Sequence, residues 1–69
     1  MKEIKIHSDT ITLSQFIKWT GEVETGGEAN ELIRSGQVKV NGEVRLERGK
    51  KLRRGDVIDI AGIGLFKII

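Results

Sequence analysis

Glu28-Ala29-Asn30-Glu31-Leu32-Ile33-Arg34-Ser35-Gly36-Gln37-Val38-Lys39-Val40-Asn41-Gly42 is the stretch that decides the fold. Its first half has the period of a helix, because Ala29, Leu32 and Ile33 fall at i, i+3 and i+4 and share one face. Gly36 is the natural stop, since a helix commonly ends on a left-handed residue and glycine adopts that conformation without a Cβ clash. The second half changes to a period of two, with Val38 and Val40 on one side and Lys39 on the other. Asn41-Gly42 supplies the two positive-φ positions of a type I′ hairpin turn.

The elements on either side follow from this centre. Downstream, Val44 and Leu46 continue on the return strand. A basic loop, Glu47 to Gly55, precedes a strand at Val57-Ile58-Asp59-Ile60, and Gly62 and Gly64 mark a turn before a last strand, Leu65 to Ile68. Upstream, the polar stretch Glu22 to Gly27 separates the helix from an earlier one. That first helix starts at Thr12, with Gln15 at the capping-box spacing. Leu13, Phe16 and Ile17 repeat the i, i+3, i+4 pattern, and Gly21 closes the helix. Residues 3–7 alternate with Ile4 and Ile6 on one side, a half-buried strand. The order predicts an α+β fold: two short packed helices against a small, mainly antiparallel sheet of about five strands. Leu13, Phe16, Ile17, Ala29, Leu32 and Ile33 are expected in one core, joined by Phe66.

Composition narrows the function. Sixty-nine residues suggest a single domain, residues 1–69, near the lower size limit for independent folding. The chain has no cysteine and one histidine, which excludes a disulfide framework and a Cys/His zinc site. No apolar run approaches the roughly 20 residues of a spanning helix, and no secretory leader is visible. The expectation is a soluble, cytoplasmic monomer without membrane, cofactor or small-molecule substrate. No Walker loop, dinucleotide fingerprint or triad order is present, so a non-catalytic role is expected. The net charge of +2 conceals a strong asymmetry: residues 1–33 carry −3, residues 34–55 carry +6 and residues 56–69 carry −1. A cationic segment of this kind suits a polyanion, although a solvated face has the same composition.

Taken together, Leu13-x-x-Phe16-Ile17, Glu28-Ala29-x-x-Leu32-Ile33-x-x-Gly36-x-Val38-x-Val40-Asn41-Gly42 and Leu52-x-x-Gly55-Asp56-x-Ile58 resemble the S4-type RNA-binding domain, also called the αL motif. That module is shared by a ribosomal protein, pseudouridine synthases and some tRNA synthetases. The likeness runs from about Thr12 to Ile60. The leading strand and Thr25-Gly26-Gly27-Glu28-Ala29 are most similar to small stand-alone bacterial members of the YaaA/YbcJ type. The resemblance implies an RNA-binding surface built from the two helices, the hairpin and the adjoining loop, on a ribosome-associated protein. Many members carry an Arg just before the first helix's Leu and a basic residue before the second helix's Glu-Ala. Thr12 and Gly27 stand at those positions here, so contacts made there by charge are absent or made differently.

The candidate contacts follow. Arg48, Lys50, Lys51, Arg53 and Arg54 lie within eight residues, between glycines that allow close backbone approach. Such a cluster releases counterions from a phosphate backbone. Arg45 on the hairpin, and Lys18 and Arg34 near the helix ends, are further candidates, though the last two also complement the negative helix C-termini. Thr25, Gly26 and Gly27 offer backbone N–H groups at a helix start, which read either as a phosphate site or as a turn and N-cap. Trp19 either stacks a base or roofs the core, and the shortage of apolar mass favours packing. His7 reads as an ordinary strand-end histidine, and Glu22, Glu24 and Glu28 as a solvated acidic turn. The resulting expectation is a protein that recognises structured RNA, ribosomal or tRNA-like, mainly through phosphates. The alternative is a protein-interaction adaptor that retains the fold. A ubiquitin-like sulfur carrier is disfavoured, because Phe66-Lys67-Ile68-Ile69 reads as a strand rather than a flexible Gly-Gly tail.

Overall fold

The computed structural model describes residues 1–69. In chain order its elements are β1 (Lys2–Ile4), β2 (Ile11–Thr12), α1 (Leu13–Trp19), α2 (Gly26–Arg34), β3 (Val38–Val40), β4 (Glu43–Val44), β5 (Lys51–Leu52), β6 (Val57–Ile60) and β7 (Gly64–Ile68). Five strands form a mixed sheet in the order β1-β7-β6-β3-β4, and β2 and β5 make a separate two-stranded ribbon. Within the sheet only the β1–β7 pair is parallel.

The helices begin and end where their chemistry dictates. The Thr12 hydroxyl accepts from the Gln15 N–H, and the Gln15 side chain accepts from the Thr12 N–H, both at 3.3 Å. Two of the N–H groups that a helix start leaves without partners are thereby satisfied. Gly21 and Gly36 follow the last turns with φ of 80° and 79°, the left-handed conformation anticipated for both. At the hairpin Asn41 and Gly42 have φ of 52° and 86°, as a type I′ turn requires.

Thirteen apolar residues form one core, drawn from both helices, from β3, β5, β6 and β7, and from Ile6 in the segment after β1. Phe16 of α1 meets Phe66 of β7 edge to face, with ring centroids 6.3 Å apart. Leu13, Phe16, Ile17, Ala29 and Ile33 are fully buried, whereas Leu32 is half-buried and packs at the core's margin. The expected six-residue cluster thus loses one member to the boundary.

Three expectations are corrected. The first strand stops at Ile4 rather than His7, because its parallel ladder pairs Ile4 with Ile68 and β7 ends there. Ile6 is nonetheless buried, and its N–H donates to the Ile69 carbonyl at 3.1 Å. On the return strand, Val44 is 49% and Leu46 57% exposed. β4 is an edge strand paired only with β3, and Leu46 lies beyond it where the chain leaves the sheet. Finally, Glu47 to Gly55 is not a loop throughout. It contains β5, which pairs Leu52 with Ile11 and Lys51 with Thr12, and Leu52 belongs to the core.

Candidate nucleic-acid interface

The segment carrying most of the positive charge is held by its backbone. Carbonyls of Arg48 and Lys50 accept from the N–H groups of Ser14 at 3.1 Å and Leu13 at 2.8 Å. The basic segment therefore lies across the N-terminus of α1 and satisfies first-turn donors that the capping box leaves open. Beyond it, β5 alternates: Leu52 points inward, while Lys51 and Arg53 are exposed. Leu52 acts as the peg, and its neighbours are the charges it aims at solvent.

The next turn is braced by Asp56. Its carboxylate accepts from the Arg53 N–H at 2.8 Å and from the Asn41 side-chain amide at 3.1 Å. Asn41 Oδ1 in turn accepts from the Val57 N–H at 2.9 Å. Gly55, with φ of 97°, lets the chain reverse between Arg53 and Asp56. The hairpin turn and the Arg53-Arg54 turn thus form one hydrogen-bonded unit. The Arg54 guanidinium donates to the Ile6 carbonyl at 3.0 Å, so its position is also defined.

The candidate cations fall into two groups. Arg34 is paired with Glu31 at 2.8 Å and Arg45 with Glu43 at 2.9 Å. Arg45 also keeps a buried Nε without a partner. Lys18, Arg48, Lys50, Lys51, Arg53 and Arg54 have no acidic partner within ion-pair distance. A phosphate meeting the second group breaks no ion pair, and only Arg54 of that group is already bonded within the protein, to the Ile6 carbonyl.

Across α2, a groove brings together Gly27, Asn30 and Arg34 with Leu46, Glu47, Arg48 and Gly49, residues distant in sequence. Asn30 was not apparent from the sequence. Its Oδ1 accepts from the Ser14 hydroxyl at 2.9 Å, which orients the amide and leaves its NH2 without a protein partner. A lone polar residue on a helix gives no signal of such a role. At the start of α2, Thr25 is used as the N-cap, its hydroxyl accepting from the Glu28 N–H at 3.2 Å. The Glu28 carboxylate accepts from the Glu24 N–H at 3.2 Å and from the Thr25 hydroxyl at 3.4 Å. That negative charge lies over the Thr25-Gly26 end and favours the capping reading there, whereas Gly27 opens onto the groove. Trp19 departs from the expected packing: it is 58% exposed, beside Lys18 at the end of α1. No helix is long and apolar enough to cross a membrane.

Two short packed helices on a small sheet, with a basic segment laid across the start of the first, define a small α+β domain with a cationic face. The 30S ribosomal protein S4e from Thermoplasma acidophilum contains a similar unit: the two match with a TM-score of 0.61 at 25% identity, over 81% of this chain and 30% of that one. The S4 domain family model matches residues 4–69, and the chain belongs to that family. It is also 39% identical over 66 residues to a Bacillus subtilis protein, the probable ribosome maturation protein RlbA, covering 96% of this chain and 93% of the relative.

Proposed function

We propose that this protein is a non-catalytic, cytoplasmic RNA-binding module that acts as a monomer and holds structured RNA through phosphate contacts. The observation that carries the reading is the set of unpaired cations Arg48, Lys50, Lys51, Arg53 and Arg54 on a segment fixed by backbone bonds to α1 and β2. A pre-positioned cationic surface spends little conformational entropy on binding and suits the regular spacing of an RNA backbone. Asn30 and Gly27 extend it across the groove, where Arg34 joins them once it gives up its pair with Glu31, and Lys18 extends it along α1. Arg45, Thr25 and Gly26 flank this surface and are already engaged within the protein. Among structured RNAs, ribosomal RNA or a tRNA-like helix is the proposed target. A relative named for ribosome maturation and a neighbour that is a ribosomal protein favour ribosomal RNA.

The test is a titration of a folded RNA at several salt concentrations. Affinity should fall with a log–log slope of roughly −2 to −4, since a few phosphates are neutralised. Changing Lys51 and Arg53 together to Ala should flatten that slope by about 1 to 2, with similar losses on unrelated duplexes. The variant should remain folded by circular dichroism, because exposed cations contribute little to stability. A folded double variant with the parental affinity and slope would refute phosphate binding by this segment and favour the protein-interaction adaptor.

A further inference from the structure

We infer that Trp19 is a stacking platform for an unpaired base of the bound RNA, an inference that rests on the RNA-binding reading above. A tryptophan in so small a domain is expected to contribute its bulk to the core, yet this residue is 58% exposed at the end of α1. It is not loosely held. Its indole N–H donates to the Lys5 carbonyl at 3.3 Å, which ties the ring edge to the N-terminal segment. An aromatic surface with its orientation set in advance loses little freedom when a planar ligand settles on it.

The surroundings specify the ligand. Ile11, Gln15, Lys18 and Trp19 line an open groove that contains no carboxylate. The Lys18 ammonium has no acidic partner. The next carbonyl after that of Lys5, on Ile6, takes the guanidinium of Arg54, so a cation of the basic segment reaches the same stretch of chain. Ile11 belongs to β2, and β2 pairs with the strand that carries Lys51. The groove therefore borders chain segments that also contact the basic segment, and Lys18 is the cation within it. A peptide anchor needs an enclosed apolar pocket for its side chain, whereas a nucleobase needs only a flat aromatic face with a cation near its phosphate. The arrangement fits a nucleotide displaced from a helix, such as a bulge or loop residue, while the neighbouring paired RNA lies on the basic segment.

The chain has one Trp and no Tyr, so its intrinsic emission reports on this residue alone. The probes are a short RNA stem bearing a single-stranded purine bulge and the same stem fully paired. The bulged stem should quench the emission markedly more at saturation, a measurement that needs no variant. Trp19→Ala, shown folded by circular dichroism, should weaken the bulged stem roughly 5- to 160-fold, the range for loss of one stacked base. The paired stem should stay within about two-fold, and Trp19→Phe should retain most of the preference. Equal quenching by both stems, or a folded Trp19→Ala protein that loses affinity for both equally or for neither, overturns the stacking role. If Lys51→Ala with Arg53→Ala still weakens both stems, the RNA-binding reading survives that failure. If neither stem binds the parent protein even in low salt, both readings fall together.

Discussion

Leu52→Ala tests whether the basic segment is an anchored part of the fold or a mobile loop. Leu52 is fully buried within the core, and it is the only core residue contributed by residues 47–55. Truncating a buried leucine removes transfer free energy and leaves a cavity, together costing about 2–5 kcal/mol. Native stabilities of roughly 0.05–0.15 kcal/mol per residue put a domain of this size at about 3–10 kcal/mol, so the change removes a large part of the total. At about 4–8 °C per kcal/mol for small domains, the melting temperature should fall by at least about 8 °C. The assay is thermal and urea denaturation followed by circular dichroism, with Leu52→Met as the volume-conserving control, expected to cost under about 1.5 kcal/mol. The substitution leaves every charge in place. At a temperature where the variant is still folded, any loss of RNA affinity would therefore come from displaced rather than missing cations. A Leu52→Ala protein melting within about 2 °C of the parent would show that the segment is not pegged to the core, and the geometry assigned to Lys51 and Arg53 would fail with it.

Two further substitutions probe the glycines. At Gly42 a Cβ would meet nothing within 4 Å, but φ is 86°, so Gly42→Val should destabilise through backbone strain alone by about 1–3 kcal/mol; a parental urea midpoint would rule out the type I′ turn. Gly27 has an ordinary φ and an added Cβ would lie no closer than 3.8 Å to the Thr25 hydroxyl, so Gly27→Arg should fold normally, raise RNA affinity and steepen the salt slope by about 0.7–0.9; unchanged affinity in the titration would remove the α2 groove from the interface.

Much of the fold was legible because its signals are local. The capping box at Thr12 and Gln15, the stops at Gly21 and Gly36 and the turn at Asn41-Gly42 each depend on residues within a few positions of one another. What escaped depends on long-range partners. The strand at Lys51–Leu52 offers a single apolar residue between cations, and the residues it pairs with lie some forty positions earlier, at Ile11 and Thr12. Nothing in the local pattern distinguishes that from a solvated turn. Asn30 joined the groove for the same reason: its oriented amide depends on Ser14 of the other helix. For Trp19, a place at the flank of the helix face favours packing over stacking, but α1 ends at Trp19 and its indole N–H bonds to the Lys5 carbonyl, a partner no local pattern reveals.

These long-range partners also explain how so short a chain holds both a fold and a charged surface. Residues 48–56 divide the work between backbone and side chain. Their carbonyl and N–H groups close the start of α1, pair with β2 and brace the turn at Asp56, while one side chain, Leu52, reaches the core. The cationic side chains contribute little to those contacts and so stay available to a ligand, apart from the single bond from Arg54 to Ile6. On the proposed function, exchanging a lysine here should alter binding without loosening the fold, whereas exchanging Leu52 or Asp56 should disturb both. The Asp56 carboxylate ties the hairpin to the Arg53-Arg54 turn, so a structural bond and the aim of two cations depend on the same side chain. Under the proposed function, any contribution of Asp56 to RNA affinity would act through position, since as an anion it would repel the phosphates that those cations are proposed to attract.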